Sequence, residues 1–149
     1  MKQVPDALGP TECFFCGPLN PAGLKLVFHV TESEPIELVC RWRPPSLYSG
    51  LGRIVHGGIQ SGLFDEIMGW TATYLTQQVG LTVGLQVKFV KPLYVEQEIE
   101  VRCRLKSRNG AKIELEAEIR NSSGQICTEG TGTYFLMERG RFKELVEQD

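Results

Sequence analysis

Residues 55–74 read VHGGIQSGLFDEIMGWTATY. Ile59, Leu63, Ile67, Trp70 and Tyr74 recur at spacings of four and three, which predicts one apolar stripe along an α-helix from about Gly57 to Gln78. Such a helix is on the order of 30 Å long. The stretch also carries four glycines and an Asp65-Glu66 pair, residues that a helix buried on one side does not need for packing. A glycine inside a helix costs roughly 1 kcal/mol relative to alanine, so close approach of another group is the natural compensation.

Outward from this helix the pattern changes to period two, the mark of strands with one buried face. Leu24, Leu26, Phe28 and Val30 share one side of a first strand, and Ile36, Leu38, Cys40 and Trp42 one side of the next. Beyond the helix, Val83, Leu85, Val87 and Phe89 alternate with Thr82, Gly84, Gln86 and Lys88. Ile99, Val101, Cys103 and Leu105 then pair in sequence with Ile113, Leu115, Ala117 and Ile119 across an Asn109-Gly110 hairpin turn. A last strand runs from roughly Ile126 to Met137, and the charged tail suggests a short surface helix. One long helix and about five to six strands point to an α+β fold, a curved antiparallel sheet wrapped around the helix. The outer face of the Ile99–Ile119 hairpin is charged and so partly solvated.

The chain has 149 residues, 42% hydrophobic and 23% charged, with a net charge of −2. That size and balance suit a single domain and argue against a nucleic-acid footprint or adhesion to an acidic membrane. No apolar run is long enough for a membrane helix, and the first residues lack the build of a signal peptide. Five scattered cysteines, Cys13, Cys16, Cys40, Cys103 and Cys127, favour reduced thiols and a cytoplasmic location. Cys13-x-x-Cys16 is half a zinc pattern, but no second pair and only two histidines, His29 and His56, accompany it, so no metal is expected.

On the helix, Asp65 falls nearly opposite the middle of the expected stripe, among Ser61, Gly62, Met68 and Gly69. It reads as a solvated polar-face residue or as a catalytic carboxylate. Glu66, nearer the stripe, reads as structural or solvated. His56-Gly57-Gly58 stands at the helix start, where free amides and the helix dipole suit an oxyanion. It also fits a plain loop-to-helix turn.

HGGIQSGLFDE at 56–66 together with TVGLQVKFVKP at 82–92 resembles the hotdog-fold thioesterases, above all the phenylacetate-pathway type (PaaI-like). CFFCGPLNPAGLKLVF at 13–28 resembles the entry segment of a bacterial set of these domains. The resemblance covers a core of 13–137 within a single 1–149 hotdog domain, with 1–12 and 138–149 as terminal extensions. It implies an acyl-coenzyme A thioesterase with active sites at the interface of a homodimer, or of a homotetramer. Asp65 matches the general base or nucleophile, Thr82 the hydroxyl supplied by the partner subunit, and Gly57 the amide that polarises the carbonyl, with His56 shaping the turn. Gly58, Gln60, Phe64 and Met68 are candidate substrate contacts, with Trp70 a further wall, and Lys88, Lys91, Arg104 and Arg108 are candidates for the coenzyme's phosphates. No cofactor is implied beyond the coenzyme A of the substrate. Some relatives carry Asn or Gln six residues before the histidine, where this chain has Gly50, a departure that bears on the oxyanion site. A non-catalytic acyl-coenzyme A binder and a hydroxyacyl-thioester dehydratase of the same fold are the alternatives, with a purely structural oligomer behind them.

Overall fold

The computed structural model describes residues 1–147; positions 148 and 149 of the expected domain lie outside the described residues. Seven antiparallel strands form one sheet in the order β1-β2-β3-β5-β6-β7-β4: β1 (Lys2–Gln3), β2 (His29–Val30), β3 (Leu38–Trp42), β4 (Val79–Phe89), β5 (Ile99–Asn109), β6 (Lys112–Arg120) and β7 (Ile126–Met137). Helix α1 (Gly57–Thr76) lies against the sheet, and a short α2 (Arg139–Val146) closes the described chain. The expected hotdog architecture is present, with two of the seven strands only two residues long. Leu26, Phe28 and Val30 are buried as their alternation predicts, although only His29–Val30 pairs as a strand.

The β5–β6 hairpin turns where expected, with Gly110 at φ 62°, a left-handed conformation suited to glycine. Ile99, Val101 and Cys103 face Ile113, Leu115, Ala117 and Ile119 in the core. Leu105 is the exception. It sits at a register shift in β5 and turns to solvent. On the outer face Arg102 and Arg104 bind Glu37, and Arg104 also binds Glu116 and Glu118. Burial alone would raise the Glu100 carboxyl, but hydrogen bonds from Arg102 and Arg41 outweigh it and hold it below its usual value.

Helix α1 begins at His56, whose Nδ1 accepts the Gly58 N–H at 2.8 Å, and ends where Gln77 turns left-handed at φ 59°. Its buried face differs from the expected stripe. Gln60, Leu63, Phe64, Ile67, Met68, Thr71 and Ala72 are buried, while Tyr74 is exposed and Ile59 and Trp70 are half-buried. The helix is rolled toward Phe64 and Met68 because β7 meets them with glycines. A β-carbon on Gly130 would stand 2.6 Å from the Phe64 ring, and one on Gly132 2.6 Å from the Met68 sulfur. Phe64 and Met68 are therefore core residues, not walls of an open acyl tunnel.

The two glycines within the helix have different reasons to be there. A methyl on Gly62 would stand 2.1 Å from the Phe15 ring, so Gly62 admits the N-terminal segment. Gly69 meets nothing within 4 Å and faces open space. Gly69→Ala is expected to gain about 1 kcal/mol from helix propensity. Gly62→Ala is expected to lose about 1–3 kcal/mol by overpacking, despite the same gain in propensity. Urea unfolding of the two variants checks this, and equal shifts of one sign would refute it.

Strand β4 corrects another expectation. Val83, Leu85 and Phe89 are exposed rather than buried, at 68%, 37% and 55% of their surface. Among the described residues the strand lies at the sheet edge, bonded only to β7, and a bulge at Val83 shifts its register between Thr82 and Gly84. Residues 1–12, expected as an extension, instead supply β1 and the buried Val4.

Candidate active site

Asp65 lies at the margin of the buried face of α1 and lines a cleft of about 630 Å³. The cleft runs between α1, the start of β4 and the N-terminal segment from Val4 to Cys16. Two hydroxyls converge on one carboxylate oxygen: Thr82 Oγ1 donates to Asp65 Oδ1 at 2.6 Å and Tyr134 Oη donates to it at 2.7 Å. Among the described residues no hydrogen bond reaches Oδ2. The carboxylate is thus clamped through one oxygen.

Each partner is delivered by a different element. Asp65 is on the helix; Thr82 stands just before the β4 bulge, opposite Tyr134 of β7 in the ladder. Burial, and then the Asp65 carboxylate, push the Tyr134 phenol well above its ordinary value, which keeps it a proton donor. Sequence reasoning missed Tyr134, since a tyrosine at an inward position of a strand looks like core. The resemblance had Thr82 arriving from a partner subunit. Here it reaches the Asp65 of its own chain.

Gly57 lies elsewhere. It is the first residue of α1, eight positions before Asp65 and so about 12 Å away along the axis. It borders a second cleft of about 310 Å³ with Phe89, Lys91 and Leu93, and the Phe89 ring stands 3.3 Å from where its β-carbon would be. As the first helical residue it has an N–H without an intrahelical acceptor. His56 is exposed, its Nδ1 occupied by Gly58 N–H, which makes it a shaper of the helix start. The departure at Gly50 packs directly on this turn: a β-carbon there would be 3.2 Å from His56 Cα.

Other expected contacts fall away from the site. Gln60 is buried, donating to the Val55 carbonyl at 2.9 Å and accepting from Thr128 Oγ1 at 2.5 Å, so it is satisfied internally. Arg104 is held by three carboxylates on the outer sheet face, and Arg108 donates to the Gly110 carbonyl at the hairpin tip. Lys88 opens onto that same outer face. Of the four cations only Lys91 borders the Gly57 cleft. Gly58 caps the helix through its N–H, as expected of a residue in the turn.

The sequence pattern of the thioesterase superfamily matches residues 52–128, just over half of the chain. The chain belongs to the thioesterase superfamily. The matched span carries the HGG turn, α1 with Asp65, and Thr82. Verlamelin biosynthesis protein B of Lecanicillium is 30% identical, the match covering 51% of this chain and 46% of that protein. The chain therefore spans less than half of that relative's length. Among solved structures, a thioesterase superfamily protein matches 90% of this chain and 69% of its own at 21% identity and a TM-score of 0.75. A Streptococcus mutans protein crystallised bound to acetyl-CoA matches 74% of this chain and 89% of its own at 16% identity and a TM-score of 0.66. These likenesses establish the fold of this superfamily member. No helix among the described residues is long and apolar enough to cross a membrane.

Proposed function

We propose that this superfamily member hydrolyses an acyl-coenzyme A thioester, with Asp65 as general base at a site shared between two subunits. The observation that carries the reading is the carboxylate at the cleft, clamped on Oδ1 by Thr82 and Tyr134 with no hydrogen bond to Oδ2 among the described residues. A carboxylate so held can take a proton from water without losing its position. The water oxygen then bonds to the thioester carbonyl carbon, and the carbon–sulfur bond breaks to release the acid and the thiolate. A thiolate leaves readily, so a strong general acid is not required. The relative bound to acetyl-CoA supports the substrate class.

The amide of Gly57 is the best donor for the developing oxyanion. About 12 Å separates it from Asp65 on one helix, so the two serve one carbonyl only if they come from different subunits. The edge strand supports that arrangement. β4 exposes Val83, Leu85 and Phe89 along an unpaired edge, which calls for a cover. Thr82, beside Asp65, stands at the start of β4, and Phe89, on Gly57, at its end. Antiparallel pairing of two β4 strands about their middle sets the Thr82 end of one against the Phe89 end of the other. Each acid pair then meets the partner's amide.

Complementation tests this sharing. Gly57→Pro removes the N–H at a first helical position where proline is tolerated, and is expected to cost about 10²–10³ in kcat. Asp65→Asn and Gly57→Pro chains are each nearly inactive alone. Mixed and refolded together, they are expected to recover about a quarter of wild-type turnover, since half the dimers are mixed and each holds one intact site. No recovery would mean that the Gly57 amide and Asp65 do not serve the same carbonyl. Release of thiol from a panel of acyl-coenzyme A esters, against elimination of water from hydroxyacyl esters, decides between hydrolase and dehydratase. His56, its Nδ1 spent on the helix cap, favours the hydrolase.

A further inference from the structure

The N-terminal Cys13-x-x-Cys16 pair, two thiols without further ligands in the sequence, acquires a third donor in the fold. Cys13 Sγ lies 3.4 Å from Glu66 Oε1, and the ligand atoms of Cys13, Cys16 and Glu66 all lie within 4.8 Å of one another. A zinc ion with bonds of about 2.3 Å to sulfur and about 2.0 Å to oxygen in tetrahedral array spaces those two ligands about 3.5 Å apart. The observed separation matches that edge.

The turn that presents the thiols is also built for it. Cys16 N–H points at Cys13 Sγ at 3.5 Å, and Gly17 N–H donates to the Cys13 carbonyl at 2.8 Å. A β-carbon on Gly17 would stand 2.3 Å from the Cys13 nitrogen and 2.4 Å from the Thr11 carbonyl oxygen, so only glycine closes this turn. Trp70 Nε1 donates to Glu66 Oε1 at 3.1 Å, which orients the carboxylate toward the thiols. All five cysteines are free, and Cys40, Cys103 and Cys127 are buried in the core, away from this group.

We propose that Cys13, Cys16 and Glu66 form a binding site for a soft divalent cation of the zinc class. Two thiolates and one carboxylate supply three ligands, and the fourth position opens on the cleft, where water can fill it. The ion would tie the N-terminal segment to α1 beside the catalytic helix turn, fastening the cleft wall that Phe15 packs on Gly62. The proposal does not depend on the thioesterase reading, because it concerns Glu66 and not Asp65.

The test uses the full chain, reduced and stripped of metal, titrated with Co²⁺ and separately with Zn²⁺ against a competing chelator dye. The expected result is about one ion per chain, with the thiolate-to-cobalt charge-transfer absorption and intense visible bands of a tetrahedral site. Cys13→Ser and Cys16→Ser are expected to abolish that absorption, and Glu66→Gln to weaken binding about tenfold or more. The wild-type spectrum alone is decisive if a variant folds poorly. Cobalt bound without the charge-transfer band, or zinc binding no tighter than in the Cys13→Ser/Cys16→Ser double variant, would overturn the assignment.

Discussion

Asp65→Asn is expected to fold as the wild type does and to lose about 10²–10⁴ in kcat on acyl-coenzyme A, the range of general-base assistance. Asparagine has nearly the same shape, and its carbonyl oxygen can still accept from Thr82 and Tyr134, which now hold Asp65 Oδ1 at 2.6 and 2.7 Å. What it lacks is a basic oxygen at the Oδ2 position. The change therefore removes proton acceptance while sparing the clamp, and KM is expected to move little. Steady-state kinetics on the best ester of the panel give the answer. A variant that keeps kcat within a factor of two removes Asp65 from the chemistry and leaves a binder of thioesters as the better description.

The largest loss of stability is expected where α1 meets β7. Phe64 is wholly buried, and its ring occupies the space that a side chain on Gly130 would need. Phe64→Ala is expected to cost about 3–5 kcal/mol, a large part of the about 5–15 kcal/mol that holds a typical domain. Gly130→Ala is expected to cost about 1–3 kcal/mol, because the methyl at 2.6 Å from Phe64 Cδ2 has no room and the buried ring no escape. Together they should cost clearly less than their sum, since the new methyl enters the volume that the lost ring vacates. Denaturant unfolding of the four proteins measures the coupling. Strict additivity would mean that ring and glycine do not share that space.

Much of the fold follows from local pattern. The start of α1, the β5–β6 hairpin and the span of β7 agree with the periodicity because each is set by neighbours in sequence: a cap, an Asn-Gly turn, an alternation. The roll of α1 does not. Ile59, Trp70 and Tyr74 carry the apolar pattern, yet Phe64 and Met68 are buried in their stead, because two glycines of a strand some sixty residues later make room for them. The same holds for β4, whose alternation looks like a core strand and whose position at the sheet edge leaves it exposed.

The site divides in the same way. The acid and the HGG turn stand out through their spacing along one helix, which is local, whereas Thr82 joins them in the sequence only through the resemblance to the hotdog thioesterases. Tyr134 joins Asp65 across 69 positions, and Cys13 joins Glu66 across 53. Neither pairing has a sequence signal, since a strand tyrosine resembles core and a helical glutamate beside an acid resembles a solvated face.

Periodicity and turn chemistry by themselves determined that one helix would lie under an antiparallel sheet and that its first half would hold an amide turn and a carboxylate. Only the tertiary structure decided which way the helix faces, which hydroxyls clamp Asp65, and that the Gly57 amide opens on a different cleft. The reason is physical: local pattern records what each segment buries, whereas side-chain partners depend on which distant backbone, glycine or bulky, comes to stand against it.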